Sequence, residues 1–303
     1  MPRRLVAVLV VILAFMSSGA VPAQARADTL PDGFQVADGT RLVGQVFPNL
    51  GAVTGWTAVF DVDTDAVTAF NAYQDQLRAA GFTQTSAACA DTGTADVGRS
   101  DAALAGVVCS GVYADEPAVR VRLAVLVCRT CGEAQLVRST GILELSRSDA
   151  ADRAQPSGRA IEPVSGPTLQ LTPADRAQLR RSVRAANRGN QSSPSPDWQP
   201  DYWHVMNLRL FGTSGARLVS PTTTFGDRCQ PDETTVLRAT GDPEGMLADL
   251  VDNLEKVSEG PWTTARSERS SEVVVQRTDG YWTLTMVDPR AGGAFILASL
   301  CSD

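Results

Sequence analysis

Two cysteines separated by two residues are the feature of this sequence that comes closest to a catalytic motif. Cys128-Arg129-Thr130-Cys131 has the spacing of thiol–disulfide enzymes, in which a helix N-terminus lowers the pKa of the attacking thiol. Here the pair ends a strand pattern and is followed by Gly132, with no amphipathic helix pattern beyond it. The sequence therefore favours a structural disulfide between Cys128 and Cys131, with a thiol–disulfide oxidoreductase as the alternative.

The remaining cysteines also predict disulfides. Six cysteines, an even number, are typical of a disulfide framework in an exported chain. Cys229 and Cys301 are alone in the second half, so they should pair with each other. Cys89 and Cys109 flank a polar loop and would join the two strands on either side of it.

Other residue types that carry catalysis or bind metals are sparse. His204 is the only histidine, and it sits in an alternating strand pattern, where a structural role is expected. Asp61-Val62-Asp63-Thr64-Asp65 begins like a calcium loop, but the glycine and the final acid of such a loop are absent. Asp63 or Thr64 is better explained as a helix cap. The sequence predicts no catalytic residue, no metal site and no cofactor.

Two groups of residues are candidates for binding. The first is a set of arginines on one face of a predicted helix, which would meet a polyanion such as a wall polymer or would simply be a solvated face between domains. This face is formed by Arg176, Arg180, Arg181, Arg184 and Arg188, and the binding candidates among them are Arg176, Arg180 and Arg184. The second is an aromatic concentration that would bind a glycan or fill a core, formed by Trp198, Tyr202 and Trp203.

The elements that would position these residues follow from a repeated pattern. Residues 57–82 read as a strand, a capped turn and an amphipathic helix that ends at Gly81. The same apolar and polar order recurs at an offset of 177 residues, so that Thr57 corresponds to Thr234. Gly39–Val43 matches Gly215–Val219 at an offset of 176, one residue less. This indicates an internal duplication.

The duplication predicts an α+β fold. Each of two domains should pack one amphipathic helix on an antiparallel sheet in a βαβββ-like order, with a linker helix between the domains. The expected boundaries are a signal peptide at 1–27, a first domain at 28–146, a linker at 147–197 with a basic helix at 173–187, and a second domain at 198–303.

The N-terminal residues predict export. Arg3-Arg4, the apolar run 5–15 and the small residues ending at Ala25 or Ala27 follow the order of a secretory signal peptide. Removing residues 1–27 deletes three arginines and no acid, so the formal net charge changes from −7 to about −10. Such an acidic chain is a poor partner for nucleic acid. The expected location is the bacterial cell envelope or the extracellular medium, with no stable membrane anchor after cleavage.

One resemblance supports this location. The run Tyr73–Phe82 is similar to a helix ending found in exported actinobacterial proteins. It implies export and brings no site residues with it. Taken together, the sequence predicts a non-catalytic binding or scaffold protein whose partner is a cell-wall polymer or another exported protein. The alternatives are the oxidoreductase using Cys128 and Cys131 and a glycan-binding module using Trp198 and Trp203.

Overall fold

The computed structural model of this 303-residue chain describes residues 29–51, 53–91, 106–115, 119–128, 139–148, 159–189, 217–223, 233–239, 241–255, 262–277, 280–287 and 293–302. The predicted class is confirmed: the described residues form two antiparallel sheets, a helix packed on each sheet, and a further helix that connects them. None of the helices in these ranges is long and apolar enough to cross a membrane.

Within the described residues, the first domain contains seven strands and one α-helix, preceded by a single 3-10 turn at Pro31–Gly33. In chain order these are β1 (Thr40–Leu42), β2 (Phe47–Asn49), β3 (Val53–Val62), α1 (Ala66–Ala79), β4 (Thr83–Asp91), β5 (Gly106–Asp115), β6 (Val119–Cys128) and β7 (Thr140–Ser148). The sheet has the order β1-β3-β7-β6-β5-β4, with β2 paired to β3. The connecting helix α2 (Pro173–Gly189) follows.

The second domain repeats this arrangement. Its elements are β8 (Arg217–Thr223), β9 (Glu233–Arg238), α3 (Pro243–Glu255), β10 (Trp262–Arg266), β11 (Ser270–Arg277), β12 (Gly280–Val287) and β13 (Phe295–Ser302). Its sheet has the order β8-β9-β13-β12-β11-β10, which matches the first sheet strand for strand apart from β2.

The strand register supports the duplication in detail. Leu42 is opposite Phe60 in the first sheet, and Leu218 is opposite Leu237 in the second. Leu218 follows Leu42 by 176 residues, and Leu237 follows Phe60 by 177 residues. The one-residue difference therefore lies between the edge strand of each sheet (β1 or β8) and the strand paired with it (β3 or β9).

Each helix buries its apolar face against its own sheet. In α1 the buried side chains include Phe70, Tyr73 and Leu77, and the ring of Tyr73 lies 5.0 Å from that of Phe60 on β3. Asp65 caps the helix, since its Oδ1 accepts from the backbone N–H of Thr68 at 2.9 Å. The interpretation of Asp63 or Thr64 as the cap was therefore wrong by one or two residues. Gly81 has the left-handed conformation expected after the helix, with φ of +89°.

Residues 159–171, here called the strap, lie against α1. Asn71 on α1 bonds both backbone groups of Val164, donating to its carbonyl at 3.1 Å and accepting from its N–H at 2.9 Å. Arg78 donates to the carbonyl of Ile161 through two of its nitrogens. Composition predicts a linker through this segment and gives no sign of these contacts, which depend on side chains far away in sequence.

The second sheet packs on the first domain through the face opposite its helix α3. Val236 and Leu297 of the second sheet belong to the same buried apolar cluster as the first domain. Glu272 on β11 is 5% exposed, and its Oε2 accepts from the backbone N–H of Leu50 at 3.1 Å. The turn after β2 is thus held to the second sheet by a buried carboxylate.

Candidate functional site

The connecting helix α2 begins with a reciprocal cap. The hydroxyl of Thr172 accepts from the backbone N–H of Asp175 at 3.2 Å, and a carboxylate oxygen of Asp175 accepts from the N–H of Thr172 at 2.8 Å. The Thr172 hydroxyl also donates to this carboxylate at 2.6 Å, and this bond, together with the bond from the Thr172 N–H, lowers the pKa of Asp175 below its ordinary value. The start of the helix is therefore well defined, and with it the direction of the arginines that follow.

Helix α2 contacts both domains. Near its start, Leu171 and Leu179 are buried in the apolar cluster of the first domain. Near its end, the side-chain amide of Asn187 bonds both the N–H and the carbonyl of Leu218 on β8, at 2.8 and 3.2 Å. The helix is thus positioned by contacts at each end, and Arg176 and Arg180 lie in its half nearer the first domain.

Arg176 fastens α2 to the first sheet. Its Nη2 donates to the carbonyl of Asp63 at 2.8 Å and to the carbonyl of Leu171 at 3.2 Å, while Nη1 lies 3.5 Å from the Asp63 carboxylate. Its Nε is buried without an acceptor within the described residues. This arginine is therefore already engaged in holding the helix in place.

A second ion pair crosses the edge of the sheet. Arg41 on β1 is directly opposite Asp61 on β3, and its Nη2 donates to the Asp61 carboxylate. The Asp61 side chain is only 6% exposed, whereas that of Arg41 is 70% exposed. The sheet register therefore places one guanidinium, already paired, at the rim of the site.

A cavity of about 190 Å³ lies between α2 and this edge of the first sheet. Its charged lining residues are Arg41, Asp61, Asp63, Arg176 and Arg180. The rest of the lining that the structure describes is formed by Val62, Ser139, Leu171 and Leu179. Ser139 is nearly fully buried, and its hydroxyl accepts from the backbone N–H of Cys128 at 3.1 Å.

Arg180 differs from the other two arginines of the cavity. It follows Arg176 by four residues, so the two lie on the same side of α2. Its side chain is exposed, and it has no hydrogen bond or ion pair with any residue in the described part of the chain. With Arg41 paired to Asp61 and Arg176 paired to Asp63, Arg180 gives the cavity one positive charge that no carboxylate of the described lining balances.

The structure brings together two of the predicted binding residues and separates a third. Arg176 and Arg180 line the cavity, whereas Arg184, one turn further along α2, is exposed and is not part of the lining. Trp198, Tyr202 and Trp203 lie outside the described residues, as does His204.

Sequence reasoning missed three contributors to this cavity. Arg41 belongs to the repeated segment before β3, and Asp61 and Asp63 belong to the acidic run that resembled a calcium loop. No group of histidine, cysteine and acidic side chains within the described ranges is arranged to hold a metal ion. The acidic run could have indicated that an arginine pairs with it, but which arginine does so depends on how α2 packs against the first sheet.

The cysteines are placed at strand positions. Cys89 and Cys109 are directly opposite each other on β4 and β5, and a disulfide joins them with a Cα–Cα distance of 4.0 Å. Cys128 at the end of β6 is 2% exposed and is also disulfide-bonded. Cys131 and Cys229 lie outside the described residues, so the pairings Cys128–Cys131 and Cys229–Cys301 stay predictions.

Comparison with known proteins adds little to this geometry. No protein-family model matches the chain, and no curated protein sequence matches it. Among solved structures, the acyl-CoA thioesterase II TesB2 from Mycobacterium marinum aligns with 82% of this chain and 93% of its own, at 9% identity and a TM-score of 0.14. A TM-score this low carries no argument about fold or activity. The functional conclusion therefore depends on the cavity beside α2.

Proposed function

We propose that this chain is an exported, non-catalytic binding protein of the bacterial cell envelope, and that the cavity between α2 and the first sheet binds a small anionic ligand. The supporting observation is the unbalanced guanidinium of Arg180 in a concave site. Guanidinium groups keep their charge at every physiological pH and offer hydrogen-bond donors in a planar fork that suits carboxylate and phosphate groups. An anion in the cavity would supply the acceptor that Arg180 lacks among the described residues.

The arrangement of the other charges favours binding over chemistry. Arg41 and Arg176 are each held by a carboxylate, so their positions are set before a ligand arrives. Arginine does not act as a proton donor or acceptor at physiological pH. The Ser139 hydroxyl accepts a backbone hydrogen bond, and the described lining residues include no histidine that could act as its base. These groups orient and neutralise a ligand.

Export is supported by the Cys89–Cys109 disulfide, because stable disulfides are typical of oxidising compartments. The test is to express the full chain with its own leader in a bacterium. We expect mature protein in the envelope or medium whose N-terminal mass corresponds to cleavage after Ala25 or Ala27. Full-length protein retained in the cytoplasm would contradict this part of the proposal.

Ligand binding is tested on the exported full chain by calorimetric titration with acetate and inorganic phosphate in a low-salt buffer. We expect binding of at least one anion that Arg180→Gln weakens about tenfold, as for the loss of one charge-assisted hydrogen bond. Arg181→Gln is the matched control, since Arg181 is an exposed neighbour on α2 that does not line the cavity. Equal losses in the two variants, or no anion binding at all, would refute the proposal.

A further inference from the structure

Besides the buried Nε of Arg176, two lining residues of the cavity carry polar groups that have no hydrogen-bond partner within the described ranges, and these two groups have opposite hydrogen-bonding character. One is the guanidinium of Arg180, which only donates. The other is Oδ2 of Asp63, which only accepts when ionised: Arg176 lies 3.5 Å from the other oxygen, Oδ1, and Oδ2 has no partner within the described ranges. The Asp63 side chain is 56% exposed, so a ligand can reach it.

This pair constrains the functional groups of the ligand. A group placed against Arg180 must accept hydrogen bonds and is favoured when it is negative. A group placed against Asp63 must donate a hydrogen bond, because a second acceptor there would be repelled. A simple anion such as acetate meets the first requirement only. The ligand therefore carries an anionic acceptor and a separate donor.

The net charge of the described cavity lining distinguishes two kinds of ligand that carry a hydrogen-bond donor, namely amino acids with an ammonium group and hydroxy acids with a hydroxyl group. Among the lining residues that the structure describes, three arginines are accompanied by two aspartates, which leaves one net positive charge. An amino acid would present an ammonium group as donor and a carboxylate as acceptor, with no net charge. A hydroxy acid presents a neutral hydroxyl and a carboxylate, and its single negative charge balances the cavity. A polyanion would bring further negative charges, for which the described lining offers no other guanidinium without a carboxylate partner.

The size of the cavity agrees with a short ligand. About 190 Å³ corresponds to roughly six water molecules at about 30 Å³ each. We infer that the cavity binds a short, singly charged hydroxy acid, with its carboxylate on Arg180 and its hydroxyl donating to Asp63. This inference rests on the proposed anion-binding function and specifies its ligand class.

The test compares small ligands on the exported wild-type chain by calorimetry at constant ionic strength. The probes are glycolate and L-lactate as hydroxy acids, acetate as the carboxylate without a hydroxyl, glycine as the zwitterion, and inorganic phosphate. We expect glycolate or L-lactate to bind at least tenfold more tightly than acetate and than glycine.

A variant separates hydroxyl recognition from anion binding. Asp63→Asn keeps the size of the side chain and an oxygen that can face Arg176, but it removes the charged acceptor. We expect the preference for glycolate over acetate to fall to within about twofold, while acetate affinity stays equal or rises because a negative charge has been removed. If circular dichroism shows that this variant does not fold, the comparison of the ligands on the wild-type chain still tests whether the cavity prefers a hydroxy acid.

The outcomes distinguish this inference from the proposed function. Acetate or phosphate binding as tightly as glycolate, with loss in Arg180→Gln, would overturn the hydroxy-acid inference and leave the anion-binding function intact. Glycine binding more tightly than glycolate would also overturn it. No binding of any probe would overturn both.

Discussion

The contact between Glu272 and the turn after β2 allows a quantitative test of how the two domains are joined. The carboxylate accepts from the backbone N–H of Leu50 at 3.1 Å and also from that of Gly51. The absence of a side chain at Gly51 leaves room for this approach, because a Cβ at that position would lie 2.8 Å from Oε1 of Glu272. Replacement of Glu272 by alanine would leave two backbone donors at the domain interface without their acceptor.

The expected cost of Glu272→Ala follows from that count. Leu50 is half-buried and Gly51 is exposed, so water can replace part of the lost acceptor, and we expect a cost of about 1–3 kcal/mol, that of one unsatisfied donor. The measurement is urea unfolding of the exported chain, followed by tryptophan fluorescence and far-ultraviolet circular dichroism. The control is Asp249→Asn, an exposed carboxyl on α3, for which we expect a change within about 0.5 kcal/mol.

The pH dependence of the same contact has a definite sign. Burial raises the pKa of Glu272 above its ordinary value of 4.5, against the opposing effect of the two backbone hydrogen bonds. The native state therefore binds more protons than the unfolded state between the ordinary and the raised value. The contribution of Glu272 to the free energy of unfolding is therefore fully present below pH 4.5 and is lost as the pH rises through the raised pKa of this residue.

Glu272→Gln isolates this charge. The amide keeps one oxygen for a backbone donor and does not ionise, so we expect the stability of the variant relative to wild type to increase from pH 4 to pH 8. If the wild type instead gains stability relative to this variant as the pH rises, the burial argument is wrong. If Glu272→Ala unfolds at the same urea concentration as wild type, the contact between Glu272 and the turn after β2 does not stabilise the protein, and the expected cost of this substitution is wrong.

Three further predictions concern the first domain. Asp65→Ala removes the cap of α1 and should cost about 0.5–2 kcal/mol in urea unfolding, with Asp65→Asn, which keeps a capping oxygen, losing less. Tyr113→Phe takes away the acceptor that the buried side-chain nitrogen of Gln74 uses at 2.6 Å and should cost about 1–3 kcal/mol, measured by the same method; a change below 0.5 kcal/mol would contradict it. Asn71→Ala removes both side-chain bonds to Val164, so we expect faster amide hydrogen exchange and proteolysis within residues 159–171 while α1 keeps its protection.

The amino-acid sequence by itself determined the architecture of this protein. Helix α1 was readable because its apolar residues recur with helical spacing, and the strands because theirs alternate. The duplication was readable because both copies keep the same pattern over the strand and the helix. These are local signals, and each depends on residues within one element, so they do not require knowledge of which elements meet.

Only the tertiary structure decided where a ligand could bind. The cavity combines Arg41 and Asp61 from paired strands with Arg180 from a helix more than 100 residues further along the chain. The sequence placed Arg176, Arg180 and Arg184 on one helix face, but the packing of α2 gives them different positions. Arg176 bonds to Asp63 of the first domain, Arg180 lines the cavity without a partner in the described residues, and Arg184 does not line the cavity. Charge pairing across such distances is a property of packing, and no spacing within the chain encodes it.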